Sequence, residues 1–175
     1  MCGIAGMYSP RRAMELESWL LAMAGELAHR GPDGVGLLVD GDFGMVNTRL
    51  SIFDLQGGDQ PLADERGRFW VMQNGEIYNF PEVRERLEHH GHHFSTSCDT
   101  EVIAHAFEHW GSACLHELNG DFALAIWDSH TREIFLARDR FGVRPLFVAQ
   151  FGAELAFASE IKALLRHPAA ERALD

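Results

Sequence analysis

The sequence predicts an α+β fold, with two mostly antiparallel sheets lying between helical layers. Three observations point there. Segments of strand character outnumber helical ones in the 175 residues. Many of the strands are nearly continuous apolar runs, as expected where both sheet faces are covered. The amphipathic helical segments fall in the first half of the chain and at its end.

Taken in order, residues 3–8 form a short buried strand ended by Ser9-Pro10. Residues 13–27 carry Met14, Leu16, Trp19, Leu20, Leu21, Met23 and Leu27 on one helical face. Clustered turn formers, His29-Arg30-Gly31-Pro32-Asp33-Gly34, break that period. Residues 35–39 and 43–48 flank Asp40-Gly41-Asp42 as a hairpin. A polar, Gly-rich loop is expected over 54–67, then a strand over 68–73 stopped by Asn74-Gly75. Pro81 suits a helix start, continued over 82–90 with Val83 and Leu87 inward. A second helix covers 99–110, where Asp99 reads by default as its N-cap. A short helical piece follows to 118, and Asn119-Gly120 turns the chain. Residues 122–127 pair with 134–137, and 146–149 with 155–158. A last helix spans 159–166, before Pro168. Neither an internal repeat nor a linker precedes about residue 167.

Composition narrows the function classes. Hydrophobic residues make up 46% and charged residues 23%, a globular balance, and the formal net charge is −11. That charge offers no footprint for nucleic acid or an anionic membrane surface. No apolar run spans a bilayer, and the N-terminus lacks signal-peptide architecture. Cys2, Cys98 and Cys114 are odd in number and widely spaced, which argues against a disulfide framework and for a reducing, cytoplasmic setting. The run His89-His90-Gly91-His92-His93 lacks a spacing that completes a ligand set, so it reads as a solvated helix end and loop, and no metal is expected.

Four stretches hold the chemistry. Cys2 becomes the N-terminal residue once Met1 is removed, and then carries a thiol beside an unblocked α-amine, a nucleophile with its own base. Taken alone, Cys2 reads more simply as a small residue opening a buried strand, and only the rest of the sequence reverses that. Asn74-Gly75 is most simply a hairpin turn. Its alternative use is an oxyanion hole, built from the Asn amide and the Gly backbone N–H. Arg49, at a strand end, has the planar fork for a bidentate grip on a carboxylate. Asp99 suits a substrate ammonium, so the pair would hold both ends of an α-amino acid.

The joint order of these motifs is far more specific. Met1-Cys2-Gly3-Ile4-Ala5-Gly6, His29-Arg30-Gly31-Pro32-Asp33, Arg49-Leu50-Ser51-Ile52, Gln60-Pro61-Leu62, Asn74-Gly75-Glu76-Ile77-Tyr78-Asn79, Asp99-Thr100-Glu101, Gly120-Asp121-Phe122-Ala123 and residues 139–146 resemble the glutaminase domain of glutamine-hydrolysing asparagine synthetases. These are class II glutamine amidotransferases with an N-terminal-nucleophile hydrolase fold. The resemblance covers residues 1 to about 166. Glucosamine-phosphate synthases and amidophosphoribosyltransferases also begin with Cys but lack this combination. Asn47 stands where the family more often has His, and Arg144 where Lys is common.

The resemblance implies a four-layer αββα sandwich. It implies Cys2 as nucleophile through a γ-glutamyl thioester, and Asn74 and Gly75 as oxyanion donors. Arg49 would bind the glutamine α-carboxylate, and Glu76 and Asp99 its α-ammonium. Leu50, Ser51, Ile52 and Phe53 would line the pocket, with His29 and Arg30 supporting it. Glutamine is the implied substrate, and no cofactor is expected for this domain. ATP and magnesium would belong to a C-terminal synthetase domain, the implied partner, whose Ser-Gly-Gly-x-Asp-Ser loop does not occur in residues 1–175. No nucleic acid or membrane partner is expected, and the resemblance is compatible with a homodimer. Other amidations served by related domains, and a silent glutamine-binding domain, are the alternatives. A chain that keeps Met1 is expected to be a precursor or inactive.

Overall fold

The computed structural model describes residues 1–10, 12–51 and 57–171. In chain order the elements are β1 (Gly3–Tyr8), α1 (Leu16–Leu27), β2 (Gly34–Asp40), β3 (Phe43–Arg49), β4 (Leu62–Ala63) and β5 (Phe69–Ile77). There follow α2 (Phe80–His89), α3 (Asp99–Trp110), β6 (Gly120–Asp128), β7 (Glu133–Arg138), β8 (Phe147–Phe151), β9 (Glu154–Ala158) and α4 (Ile161–Leu164). Short 3-10 turns at Ala13–Glu15 and Gly111–His116 precede α1 and follow α3. No helix among the described residues is long and apolar enough to cross a membrane.

The chain divides into two compact units, residues 1–50 with 145–175, and residues 51–144. In the first, a five-stranded sheet among the described residues has the order β2-β3-β1-β9-β8. Every pairing is antiparallel, with β1 central between β3 and β9. Met14 and Leu21, expected on the buried face of α1, are exposed, because Met14 lies in the turn before the helix and Leu21 falls about 100° around it from Leu20. Helix α1 buries Leu16, Leu20, Met23, Ala24 and Leu27. These side chains join Ala5, Met7, Val46, Ala156 and Ala158 in one apolar cluster. Each large side chain so buried contributes about 1.5–3 kcal/mol over exposure.

The second unit holds a four-stranded antiparallel sheet, order β4-β5-β6-β7, among the described residues. Val71, Ile77, Leu124 and Ile126 from the sheet pack with Val83 and Leu87 of α2 and Val102, Ile103 and Ala106 of α3.

Four further expectations change. The predicted loop over 54–67 contains strand β4, and residues 52–56 lie outside the described residues. Asn74-Gly75 is no hairpin turn, because β5 runs through it in register with Ala123 and Phe122 of β6. The returning strand comes after two helices, so the local turn rule never applies. Asp99 is the first residue of α3 rather than its cap, which is Cys98 without a side-chain cap bond. The last helix shrinks to four residues because Ser159 stays on β1, donating its N–H to the Ile4 carbonyl at 2.8 Å. Its Oγ accepts the Ile4 N–H at 3.0 Å, and Glu160 stays extended.

Candidate active site

The sequence-predicted residues fall into two constellations, one in each unit. In the first, Cys2 immediately precedes β1 and is half-buried. Its Sγ accepts the Leu50 N–H at 3.4 Å and lies 3.7 Å from the Leu50 carbonyl oxygen. The register Gly3↔Thr48 dictates this contact, since it carries the residues beyond both strand ends alongside each other.

Arg30 holds Cys2 from behind. Its Nε donates to the Cys2 carbonyl at 3.0 Å, and its Nη1 donates to Glu160 Oε1, also at 3.0 Å. His29 Nε2 meets the same carboxylate oxygen at 2.8 Å, and Lys162 Nζ lies 3.3 Å from Glu160 Oε2. Burial works to raise the Glu160 carboxyl, but the bonds from Arg30, His29 and Lys162 outweigh it and hold it below the ordinary value. Gly31 lets this segment lie against β3, because a Cβ there would sit 2.2 Å from the Thr48 carbonyl oxygen. The Asp33 N–H donates to the Arg49 carbonyl at 3.0 Å, and Arg49 itself is buried.

In the second unit Asn74, Gly75 and Glu76 are consecutive on β5, with Asn74 fully buried. Gly75 has φ +142°, and a Cβ there would lie 1.9 Å from the Asp121 carbonyl oxygen. Only glycine fits such a position. Asp99 Oδ2 accepts from Gln73 Nε2 at 2.7 Å and from the Ile77 N–H at 2.9 Å. Its Oδ1 lies 3.5 Å from the Cys98 thiol. Asp99 therefore ties the first turn of α3 to both sides of Asn74-Gly75-Glu76.

None of the three cysteines forms a disulfide. Burial, with Asp99 beside it, pushes the Cys98 thiol up to about 11, and burial pushes Cys114 up to about 12. Neither is a nucleophile near neutral pH. Cys2, half-buried under an N–H donor, is the cysteine placed for chemistry.

A family model for the glutamine amidotransferase domain matches residues 1–175. The chain belongs to that family. This glutamine amidotransferase domain is 44% identical over 171 residues to asparagine synthetase [glutamine-hydrolyzing] 2 of Bacillus subtilis, covering 96% of this chain and 23% of that protein. It is 41% identical over 182 residues to a putative asparagine synthetase [glutamine-hydrolyzing] of Mycobacterium tuberculosis, covering 94% of this chain and 28% of that protein. The chain thus spans about a quarter of the length of these curated relatives. Among solved structures it resembles the glutamine phosphoribosylpyrophosphate amidotransferase of B. subtilis complexed with ADP and GMP, with a TM-score of 0.75 at 24% identity over 93% of this chain and 43% of that one. A second, described as the allosteric regulatory enzyme of purine biosynthesis, gives 0.78 at 25% identity over 94% and 43%. The amidotransferase domain accordingly has the α+β, N-terminal-nucleophile type of fold, with two antiparallel sheets and helices.

Sequence reasoning missed Glu160 and Gln73. Glu160 lies 130 residues from Arg30, and no local pattern marks it. Gln73 gave a weak signal as a polar residue closing an apolar strand. Its buried amide bridges Asp99 and Thr100, while Gln60 bonds both the Gln73 N–H and Thr100. Of the predicted pocket residues, Leu50 bonds Cys2 and Ser51 follows it half-buried, whereas Ile52 and Phe53 lie outside the described residues. Asn47 is buried on β3 opposite Ile4, and Arg144 pairs with Asp121 at 2.7 Å.

Proposed function

We propose that this domain hydrolyses the side-chain amide of glutamine to glutamate and ammonia, and that the ammonia serves ATP-dependent formation of asparagine from aspartate in a synthetase domain. The observation that carries the reading is Cys2, a half-buried thiol at the head of β1 with its Sγ under the Leu50 N–H.

With Met1 removed, the Cys2 α-amine takes the thiol proton, directly or through a water. The thiolate adds to the amide carbon. Asn74 and the Gly75 N–H carry the oxyanion, a stabilisation worth on the order of 100-fold to 1000-fold in rate per donor. Collapse breaks the C–N bond, the amine's proton leaves with the nitrogen as ammonia, and water then cleaves the γ-glutamyl thioester to regenerate the thiol. Arg49 holds the α-carboxylate, and Glu76 and Asp99 the α-ammonium. Three donors already use Asp99, but a carboxylate offers about four acceptor sites, so one remains for an ammonium.

Asparagine as product follows the names of the relatives, and ATP and magnesium belong to the synthetase domain. Glutamate release from glutamine, measured for the mature domain and for Cys2→Ala, tests the chemistry: equal rates in the two sink it. Aspartate-dependent consumption of the ammonia by the protein as encoded tests the acceptor.

A further inference from the structure

The histidine-rich segment after α2 does not end in solvent throughout. His92 turns onto α3, where its Nδ1 lies 3.2 Å from Nδ1 of the fully buried His105 and 3.4 Å from Oε2 of Glu108. His105 and Glu108 are three residues apart on α3 and so share a face. Glu65, from the turn leading into β5, joins them, and one ligand atom from each of the four lies within 4.8 Å of the others. Glu108 Oε2 is buried there with no hydrogen-bond partner, a costly state for a carboxylate oxygen unless a cation answers it.

With bonds of about 2.0–2.1 Å to nitrogen and 2.0–2.2 Å to oxygen, neighbouring ligand atoms on a tetrahedron stand about 3.3–3.5 Å apart. The two separations from His92, 3.2 Å to His105 and 3.4 Å to Glu108, match that spacing, and the exposed Glu65 closes in from within 4.8 Å.

We propose that Glu65, His92, His105 and Glu108 form a structural zinc site that ties the turn before β5 and the α2–α3 connection to α3. The surrounding groups orient the ligands as such a site requires. His92 Nε2 lies 3.2 Å from His109 Nδ1, so an Nε2–H donated to His109 leaves His92 Nδ1 for the metal. His105 Nε2, buried without a hydrogen-bond partner, faces Glu101 Oε1 at 3.8 Å on the far side of the ring and leaves Nδ1 toward the site. Glu101 is itself held by the N–H groups of Ser95 and Thr96 and by the Thr96 hydroxyl. Arg66 takes Glu108 Oε1 at 3.4 Å and leaves Oε2 to the site.

Two imidazoles with two carboxylates select zinc over magnesium or calcium, and four protein ligands make a closed, structural set. The sequence hides it because its ligands come from three segments, and of the histidine run only His92 takes part. The site is independent of the glutaminase reading, and its test does not involve glutamine.

The purified 175-residue chain is equilibrated with Zn(II), stripped of excess metal, and its bound zinc counted. The spectrum with Co(II) reports geometry, and competition with a chromogenic chelator reports affinity. One zinc per chain is expected, with a tetrahedral cobalt spectrum. Binding should weaken at least 100-fold in His92→Gln and Glu108→Gln and at least tenfold in Glu65→Gln. His93→Gln and His116→Gln, exposed controls, should bind as the wild type. Zinc should raise the thermal midpoint of the wild type and not of His92→Gln. Because buried His105→Gln risks misfolding, the outcome is read on the other three ligands. Absence of stoichiometric zinc, an octahedral cobalt spectrum, or unchanged binding in His92→Gln and Glu108→Gln would overturn the site, as would loss of zinc in His93→Gln.

Discussion

Arg30 donates to the main-chain carbonyl of Cys2 and to the Glu160 carboxylate at the same 3.0 Å, so one guanidinium links the head of β1 to the chain just beyond β9. The Arg30 side chain is only 10% exposed, which shields the link from solvent screening. His29 meets the same Glu160 oxygen with a side chain 53% exposed. The two partners of one carboxylate should therefore differ sharply in weight.

Arg30→Ala should lower stability by about 1–3 kcal/mol, because it strands the Cys2 carbonyl and one side of Glu160. It should also cut glutaminase kcat about tenfold or more with a smaller change in KM, since it loosens the residue proposed as the nucleophile. His29→Gln should stay within about 0.5 kcal/mol of the wild type. Denaturant unfolding with steady-state kinetics on the three proteins checks this, and equal losses in both variants would contradict it.

Alkylation should separate the cysteines. At pH 8 iodoacetamide should label Cys2 in the folded chain and spare Cys98 and Cys114, whose thiols burial pushes up to about 11 and about 12. Peptide mass mapping before and after unfolding reads the result, and all three should react once unfolded.

Gly75→Ala should destabilise the second unit by roughly 3 kcal/mol or more. The new Cβ would meet the Asp121 carbonyl at 1.9 Å in a conformation that L side chains rarely adopt. Thermal unfolding measures the loss, and glutaminase activity should fall below detection even where the protein stays folded.

Asp99→Ala should cost about 2–5 kcal/mol, because the Ile77 N–H and the Gln73 amide both lose a buried acceptor. An Asp99 that only bound a substrate ammonium would show raised KM with unchanged stability. Urea unfolding distinguishes the two, and we expect both effects together.

Acid stability should carry the signature of Asp128. Arg68 grips this carboxylate in two bonds, at 3.0 Å and 2.6 Å, and the N–H groups of His130 and Thr131 add to the grip. Those bonds, Arg68 foremost, hold its carboxyl well below the ordinary 3.8 despite its burial. A depressed folded value means that the unfolded chain takes up the proton first. The contribution is therefore complete above pH 3.8 and is lost progressively below it. Unfolding of wild type and Asp128→Asn between pH 6 and pH 2 (about the range the linkage spans) should show a shallower acid limb in the variant.

Periodicity and motif order by themselves determined much of this protein. The spacing of Leu16, Leu20, Met23 and Leu27 fixed the buried face of α1, and the span 99–110 was legible as α3 to the residue. The order of motifs from Cys2 to Asp99 marked a glutamine amidotransferase domain, because each motif is local and tied to its own backbone requirement.

What only the tertiary structure decided involves residues far apart in the chain. Asn74-Gly75 reads as a turn until β6 supplies a partner strand from residue 120 onward. Asp99 reads as a helix cap until the Ile77 N–H and Gln73 claim its carboxylate. Glu160, and the grouping of Glu65, His105 and Glu108 around His92, carry no local signal, and the histidine run by itself completes no ligand set. The physical reason is that hydrogen-bond partners and ligand sets are chosen by proximity in space. Sheet register and helix docking set that proximity, and no short window of sequence encodes either.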